Sequence, residues 1–284
     1  MVEWLVNMLN VIGNGVGKDV LDILVKTPQE AASSAYKFAT DCNEGAVKPV
    51  ASTLLSIFFV MELSRVSTKI DGDRQLGVKI VGATMLKFAL ILTAATNAQN
   101  ILTAIYGITQ KILNGFKDNY EGSGGFSICD NSCKIAIEKQ NSVSQAATLV
   151  MLFLPFIAAI AVTIAFRVVI VLRFFEIFLF ISFAALPVAF FASDDTKGMA
   201  INFYRKFAAV CLKSSTLLLG VFLYRKIAYP EDGSESIIPF PGKFNGGNLP
   251  QYVISNYGNF FISGIVLFSI LAISNTVAKA VCGE

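Results

Sequence analysis

The apolar positions of this chain come in blocks too long for a soluble domain. They lie at about 50–65 (VASTLLSIFFVMELSR), 78–96 (VKIVGATMLKFALILTAAT), 146–166, 174–191, 207–223 and 260–277. A bilayer-crossing helix needs roughly 20 mostly apolar residues, and these blocks fit that scale, the first being short. The second keeps a helical pattern through Ile101, Ile105 and Ile108 to about Phe116. A straight helix of about 39 residues would be roughly 58 Å long, well beyond the hydrocarbon thickness. It should therefore protrude, or break near Asn97, Gln99 and Asn100. Pro155 and Pro187 fall inside blocks, where a missing N–H kinks a helix. The pattern predicts an all-α, polytopic transmembrane helical bundle of about five to six spans.

Ahead of the spans lies an amphipathic helical region, residues 1–45. Trp4, Leu5, Met8, Leu9 and Ile12 recur at helical spacing, and Gly13-Asn14-Gly15 breaks the pattern. A second stretch runs from Asp19 to Lys26. Such helices lie in the membrane interface, with Trp4 as anchor, or pack on the protein's own spans. Glu3, Asn7 and Asn10 argue against a secretory signal. Residues 46–284 read as one polytopic domain with polar loops at about 117–143 and 229–259, and without a visible repeat.

Composition agrees with the pattern. Of 284 residues 54% are hydrophobic and only 15% charged, where a soluble domain carries about 25%. Mean hydropathy is +0.62. A net charge of +3, with scattered basic residues, argues against a nucleic-acid-binding domain. Arg65, Lys69, Arg74 and Lys79 crowd one connection, and Arg167 and Arg173 an expected turn between the third and fourth spans. The positive-inside rule places both in the cytoplasm and the N-terminus outside. It also places 229–259 inside, although that loop is poor in Lys and Arg.

With no histidine, Ser-His-Asp and Cys-His pairs and His-ligated metal sites are excluded, and no GxxxxGK[ST] loop is present. The sequence gives no reason to expect an enzyme. Cys129 and Cys133 lack a second pair for zinc; their spacing admits a disulfide on the outer face or two reduced thiols. Lys87, Arg167, Arg173, Glu176 and Lys213 lie in or beside spans, where a charge must face protein, water or a headgroup. Lys87 and Lys213 lack obvious acidic partners, so a homo-oligomer interior or bound phospholipid would accommodate them. Arg173 and Glu176 are three apart and share a helical face, so they can pair, or Glu176 can reach the headgroup zone. The carboxylates Asp194 and Asp195 end the fourth block.

The stretch from Arg167 to Ile227 (RVVIVLRFFEIFLFISFAALPVAFFASDDTKGMAINFYRKFAAVCLKSSTLLLGVFLYRKI) resembles the core of the TrbL / VirB-six family, polytopic inner-membrane subunits of type IV secretion and conjugation machines. Arg173 and Glu176 in a span, Ala185-Leu186-Pro187, and Gly198 to Phe203 entering another span carry the resemblance. The small size resembles versions from Gram-positive conjugative elements. The resemblance implies a non-enzymatic subunit of a DNA- or protein-translocation channel in the cytoplasmic membrane. It implies a ring, plausibly a pentamer, and contacts with a secretion ATPase, a bitopic scaffold subunit and a stalk or adhesin subunit. The alternatives are a small-solute transporter, for which Asn97 to Asn100 is the one candidate broken helix, and a holin-like pore.

Overall fold

The computed structural model describes residues 1–68, 74–120, 128–228, 230, 237, 240–242, 244 and 246–283. Lys69, the EGSGGFS stretch at 121–127 and most of 231–239 lie outside the described residues, as does the side chain of Arg74. Among the described residues the chain is helical, without strands. The order is α1 (Val2–Asn14), α2 (Lys18–Val25), α3 (Pro28–Ala31), α4 (Ser33–Cys42), α5 (Lys48–Ser67), α6 (Arg74–Thr96), α7 (Ala98–Tyr120), α8 (Asn131–Glu138), α9 (Ser142–Ser182), α10 (Ala185–Ala189), α11 (Lys197–Ala228) and α12 (Leu249–Cys282). A π-helical turn, Asn43–Val47, joins α4 to α5, and a 3-10 turn, Phe190–Ala192, follows α10.

Among the described residues, five helical stretches are long and apolar enough to cross a membrane: Ser33–Ser67, Gly77–Thr96, Ser142–Ser182, Lys197–Ala228 and Leu249–Cys282. The expected turn between a third and a fourth span does not exist. Both blocks belong to α9, which has 41 residues and measures roughly 60 Å. The physical reason is plain in AFRVVIVLRFF. It contains no Gly, Pro, Asn, Asp or Ser, and arginine is a good helix former, so two arginines make no turn. Pro187 is likewise not inside a span. Helix α9 ends at Ser182, and Pro187 sits in the first turn of α10, where its missing N–H costs nothing. Pro155 does lie within α9.

The second block breaks at Asn97. Its side-chain Nδ2 donates to the Thr93 carbonyl at 2.9 Å, and the Thr96 hydroxyl reaches the same oxygen at 2.8 Å. Polar side chains that bond the preceding turn compete with the helix ladder, so α6 stops and α7 restarts. The break lies at the end of a crossing segment, not in its middle.

The chain forms two compact units, each from separate stretches. The first comprises Met1–Val25, Ile112–Leu172 and Lys213–Val277. In its core the α1 stripe Leu5, Met8, Leu9 and Ile12 packs with Ile128, Cys133, Ile137, Phe244 and Val253. The apolar face of α1 is thus spent on protein. Trp4, expected on that face, points away from it and is 66% exposed. Gly15 stands at φ 57° in the bend after α1, and a Cβ there would come within 2.7 Å of Leu267 Cδ1, so glycine fits both the conformation and the close approach.

The second unit comprises Lys26–Lys111, Arg173–Leu212 and Ala278–Glu284. Small residues dominate its core: Ala39, Ala51, Ala95, Ala98, Ala184 and Ala189, interleaved with Phe88, Leu102 and Phe207. Alanines let helices approach closely where no water drives them together. Asn43, fully buried in the π turn, accepts a hydrogen bond from Ala185 N–H at 3.2 Å and so ties the α4–α5 turn to the start of α10. Before α3, Thr27 and Glu30 form a reciprocal capping box, and the Thr27 backbone N–H and hydroxyl hold the Glu30 carboxyl below its ordinary value.

Candidate functional site

A buried cation marks the second unit. Arg173 projects from α9 into packed surroundings at 2% exposure. Its guanidinium lies 4.6 Å from the centroid of the Phe174 ring, close enough for a cation–π contact. It also hydrogen-bonds the hydroxyl of Tyr106 on α7. Tyr106 in turn donates to Gln110 Oε1 at 2.8 Å, with the Lys26 carbonyl a weaker acceptor at 3.4 Å. Burial pushes the Tyr106 hydroxyl up to about 12, with Arg173 pulling the other way. It therefore stays a neutral donor and acceptor at physiological pH. Nearby, an apolar cavity of about 160 Å³ is lined by Tyr36, Leu102, Tyr106, Ile177 and Phe207.

Glu176 is not the partner of Arg173. It is half-buried and forms no ion pair among the described residues. A shared face three residues apart permits a pair, yet burial turned Arg173 inward to Tyr106 instead. Tyr106 and Gln110 were not singled out in the sequence. The available signal was Tyr106 and Gln110 four apart on an amphipathic helix.

In the first unit Arg167, exposed, pairs with Asp19 of α2. Arg225 donates to the Val16 carbonyl at 3.0 Å and Thr163 to the Gly15 carbonyl at 3.4 Å, fastening the α1–α2 bend to α11 and α9. Cys129 and Cys133 are joined by a disulfide with Cα atoms 5.2 Å apart, both buried. Asn10 reads both backbone groups of Cys129, donating to its carbonyl at 3.2 Å and accepting its N–H at 2.9 Å. Phe244 N–H donates to the Ile128 carbonyl at 3.1 Å, and Gln140 to the Gly247 carbonyl at 2.7 Å. Together α1, α8 and the segment before α12 form a small head. Lys87 and Lys213 are half-buried and form no ion pair among the described residues. No cluster of three or more potential metal ligands occurs there either.

The profile of the TrbL/VirB6 plasmid conjugal transfer like protein family matches residues 14–185, well over half of the chain. The chain belongs to that family. It is thereby a multi-pass membrane component of conjugal transfer, type IV secretion machinery. No curated protein and no solved structure matches it. For this TrbL/VirB6-like protein the matched region holds α2 to α9, including Lys87, Tyr106, Cys129, Cys133, Arg167, Arg173 and Glu176. It ends at Ala185, so Pro187 and Gly198 to Phe203, which carried part of the resemblance, lie beyond it.

Proposed function

We propose that this TrbL/VirB6-like protein is a non-enzymatic channel or scaffold subunit that helps form the translocation path across the cytoplasmic membrane. Family membership over residues 14–185 is the observation that carries this reading. The subunit works as a homo-oligomer, a pentameric ring, beside a secretion ATPase, a bitopic scaffold and a stalk or adhesin subunit. Lys87 and Lys213 support the oligomer: half-buried cations in spans need a counter-surface, from a second copy or from phospholipid.

Five crossings also remove a conflict in the charge pattern. With the N-terminus outside, the connection at 68–76 and the stretch around Asp195 are cytoplasmic, while 128–141 and 229–248 are external. The loop poor in Lys and Arg then obeys the positive-inside rule, and the disulfide lies where oxidation is permitted. Ion pairing of Arg65 with Asp195, and bonding of Ile128 with Phe244, fit this parity.

Deletion of the gene with complementation tests the role. Transfer frequency should collapse, and tagged protein should co-purify with the secretion ATPase and appear as a multimer by native mass spectrometry. A strictly monomeric protein that carries a small solute alone in proteoliposomes would sink the proposal in favour of a transporter.

A further inference from the structure

At the end of the first crossing helix, a cavity of about 530 Å³ opens beside α5. One wall is apolar: Phe58, Val60 and Met61, the last two 66% and 57% exposed. The other wall, nearer the helix end, is polar and carries Glu62, Arg65 and the hydroxyl residues Ser64 and Ser193. Apolar surface thus gives way to polar surface over little more than one helical turn, ending within two residues of the last residue of the span, Ser67. A phospholipid has that same gradient along the bilayer normal.

The charges narrow the headgroup. Arg65 Nη1 lies 3.7 Å from Glu62, and Nη2 lies 3.3 Å from Asp195. Among the described residues these two contacts leave further donors of the five-donor guanidinium for a phosphate. Two carboxylates face one guanidinium among the described residues, so this part of the site is net acidic. A purely anionic headgroup would meet that excess. A zwitterion, with phosphate on Arg65 and ammonium on Glu62, would match both signs. An ethanolamine ammonium can donate hydrogen bonds to a carboxylate; a choline nitrogen has none to give.

We infer that this cavity is a binding site for one ethanolamine phospholipid. Phosphate lies against Arg65 and the flanking hydroxyls, the ammonium against Glu62, and an acyl chain along Val60 and Met61. The site rests on the multi-pass nature of the chain and not on its role in translocation.

The test starts from full-length protein in nanodiscs holding equal amounts of phosphatidylethanolamine, phosphatidylcholine and phosphatidylglycerol. After mild detergent extraction, retained lipid is quantified by mass spectrometry. Ethanolamine lipid should be enriched about three- to tenfold, the scale of one partly exposed charge-assisted hydrogen bond. Glu62→Gln with Asp195→Asn should abolish that enrichment and move retention toward phosphatidylglycerol, while Glu3→Gln in the first unit should leave it intact. Glu62→Gln alone keeps the Arg65–Asp195 link and should reduce the enrichment, which covers the case of a poorly folded double variant. Water-soluble glycerophosphoethanolamine should not displace the lipid. Absent enrichment, enrichment indifferent to Glu62→Gln, or full displacement by the soluble headgroup would each overturn the site.

Discussion

Two arginines on one helix, six residues apart, solve the same problem in opposite ways. Arg167 keeps its head at the surface and takes an ionic partner, Asp19, which is itself exposed. Arg173 is buried and takes neutral partners, the Tyr106 hydroxyl and the Phe174 ring face. Water solvates the first pair and screens its attraction, so the contact holds little energy. The second is out of water, so each hydrogen bond to it matters more. Sign of charge therefore says less about an arginine's role than depth does. The surroundings follow suit: the first unit is tied by backbone carbonyls and a disulfide, the second by packed alanines with buried polar links such as Arg173–Tyr106 and Asn43–Ala185.

The sharpest way to break this contrast is Tyr106→Phe, which removes a neutral partner and keeps the ring. It should destabilise the protein by about 1.5–3 kcal/mol, the range for a hydrogen bond to a charged group, read as lower membrane accumulation and a lower melting temperature in detergent. Adding Arg173→Leu should restore part of the loss; a double variant no better than the single would end the idea that burial of the charge sets the cost. Next in size is Cys129→Ser with Cys133→Ser. Closing so short a loop is worth about 2 kcal/mol on the chain-entropy scale, so the head should show faster limited proteolysis while the second unit melts unchanged. Gly15→Ala should cost about 1–2 kcal/mol, because φ is positive and Leu267 stands in the way; normal thermal stability of that variant would refute the close approach. Smallest is Asp19→Asn, expected at under about 1 kcal/mol and further reduced by salt. An effect as large as that of Tyr106→Phe would erase the difference between the two arginines.

Period and length in the sequence revealed the helical class and about the number of candidate spans, and offered a break near Asn97 as one of two outcomes for the long second block. They missed the continuity of α9, because two arginines in an apolar run look like a connection when charge is weighed above helix propensity. The α1 stripe was legible as amphipathic, but periodicity is silent on whether protein or lipid meets an apolar face. Here Ile128, Ile137 and Phe244 meet it, contributed by residues more than a hundred positions away. For the same reason Tyr106 and Asn43 escaped notice. Their partners, Arg173 and the Ala185 N–H, lie far off in sequence, and only the folded chain brings them together. The family resemblance rested on Arg167 to Ile227, whereas the matching profile covers 14–185 and overlaps that stretch only at its start.

The backbone hydrogen bond from Phe244 to Ile128 bears on how this protein is made. Its two ends are separated in the chain by α9 and α11, two helices long and apolar enough to cross a membrane. A ribosome that has produced the disulfide-bearing segment has not yet made the strip that will close over it. The head therefore cannot be completed until both intervening helices have been threaded and the later loop has arrived on the same side. A chain stalled or misthreaded at α11 would keep its cysteines and lose their cover. Protease resistance around Cys129 consequently reports whether insertion downstream has been carried through.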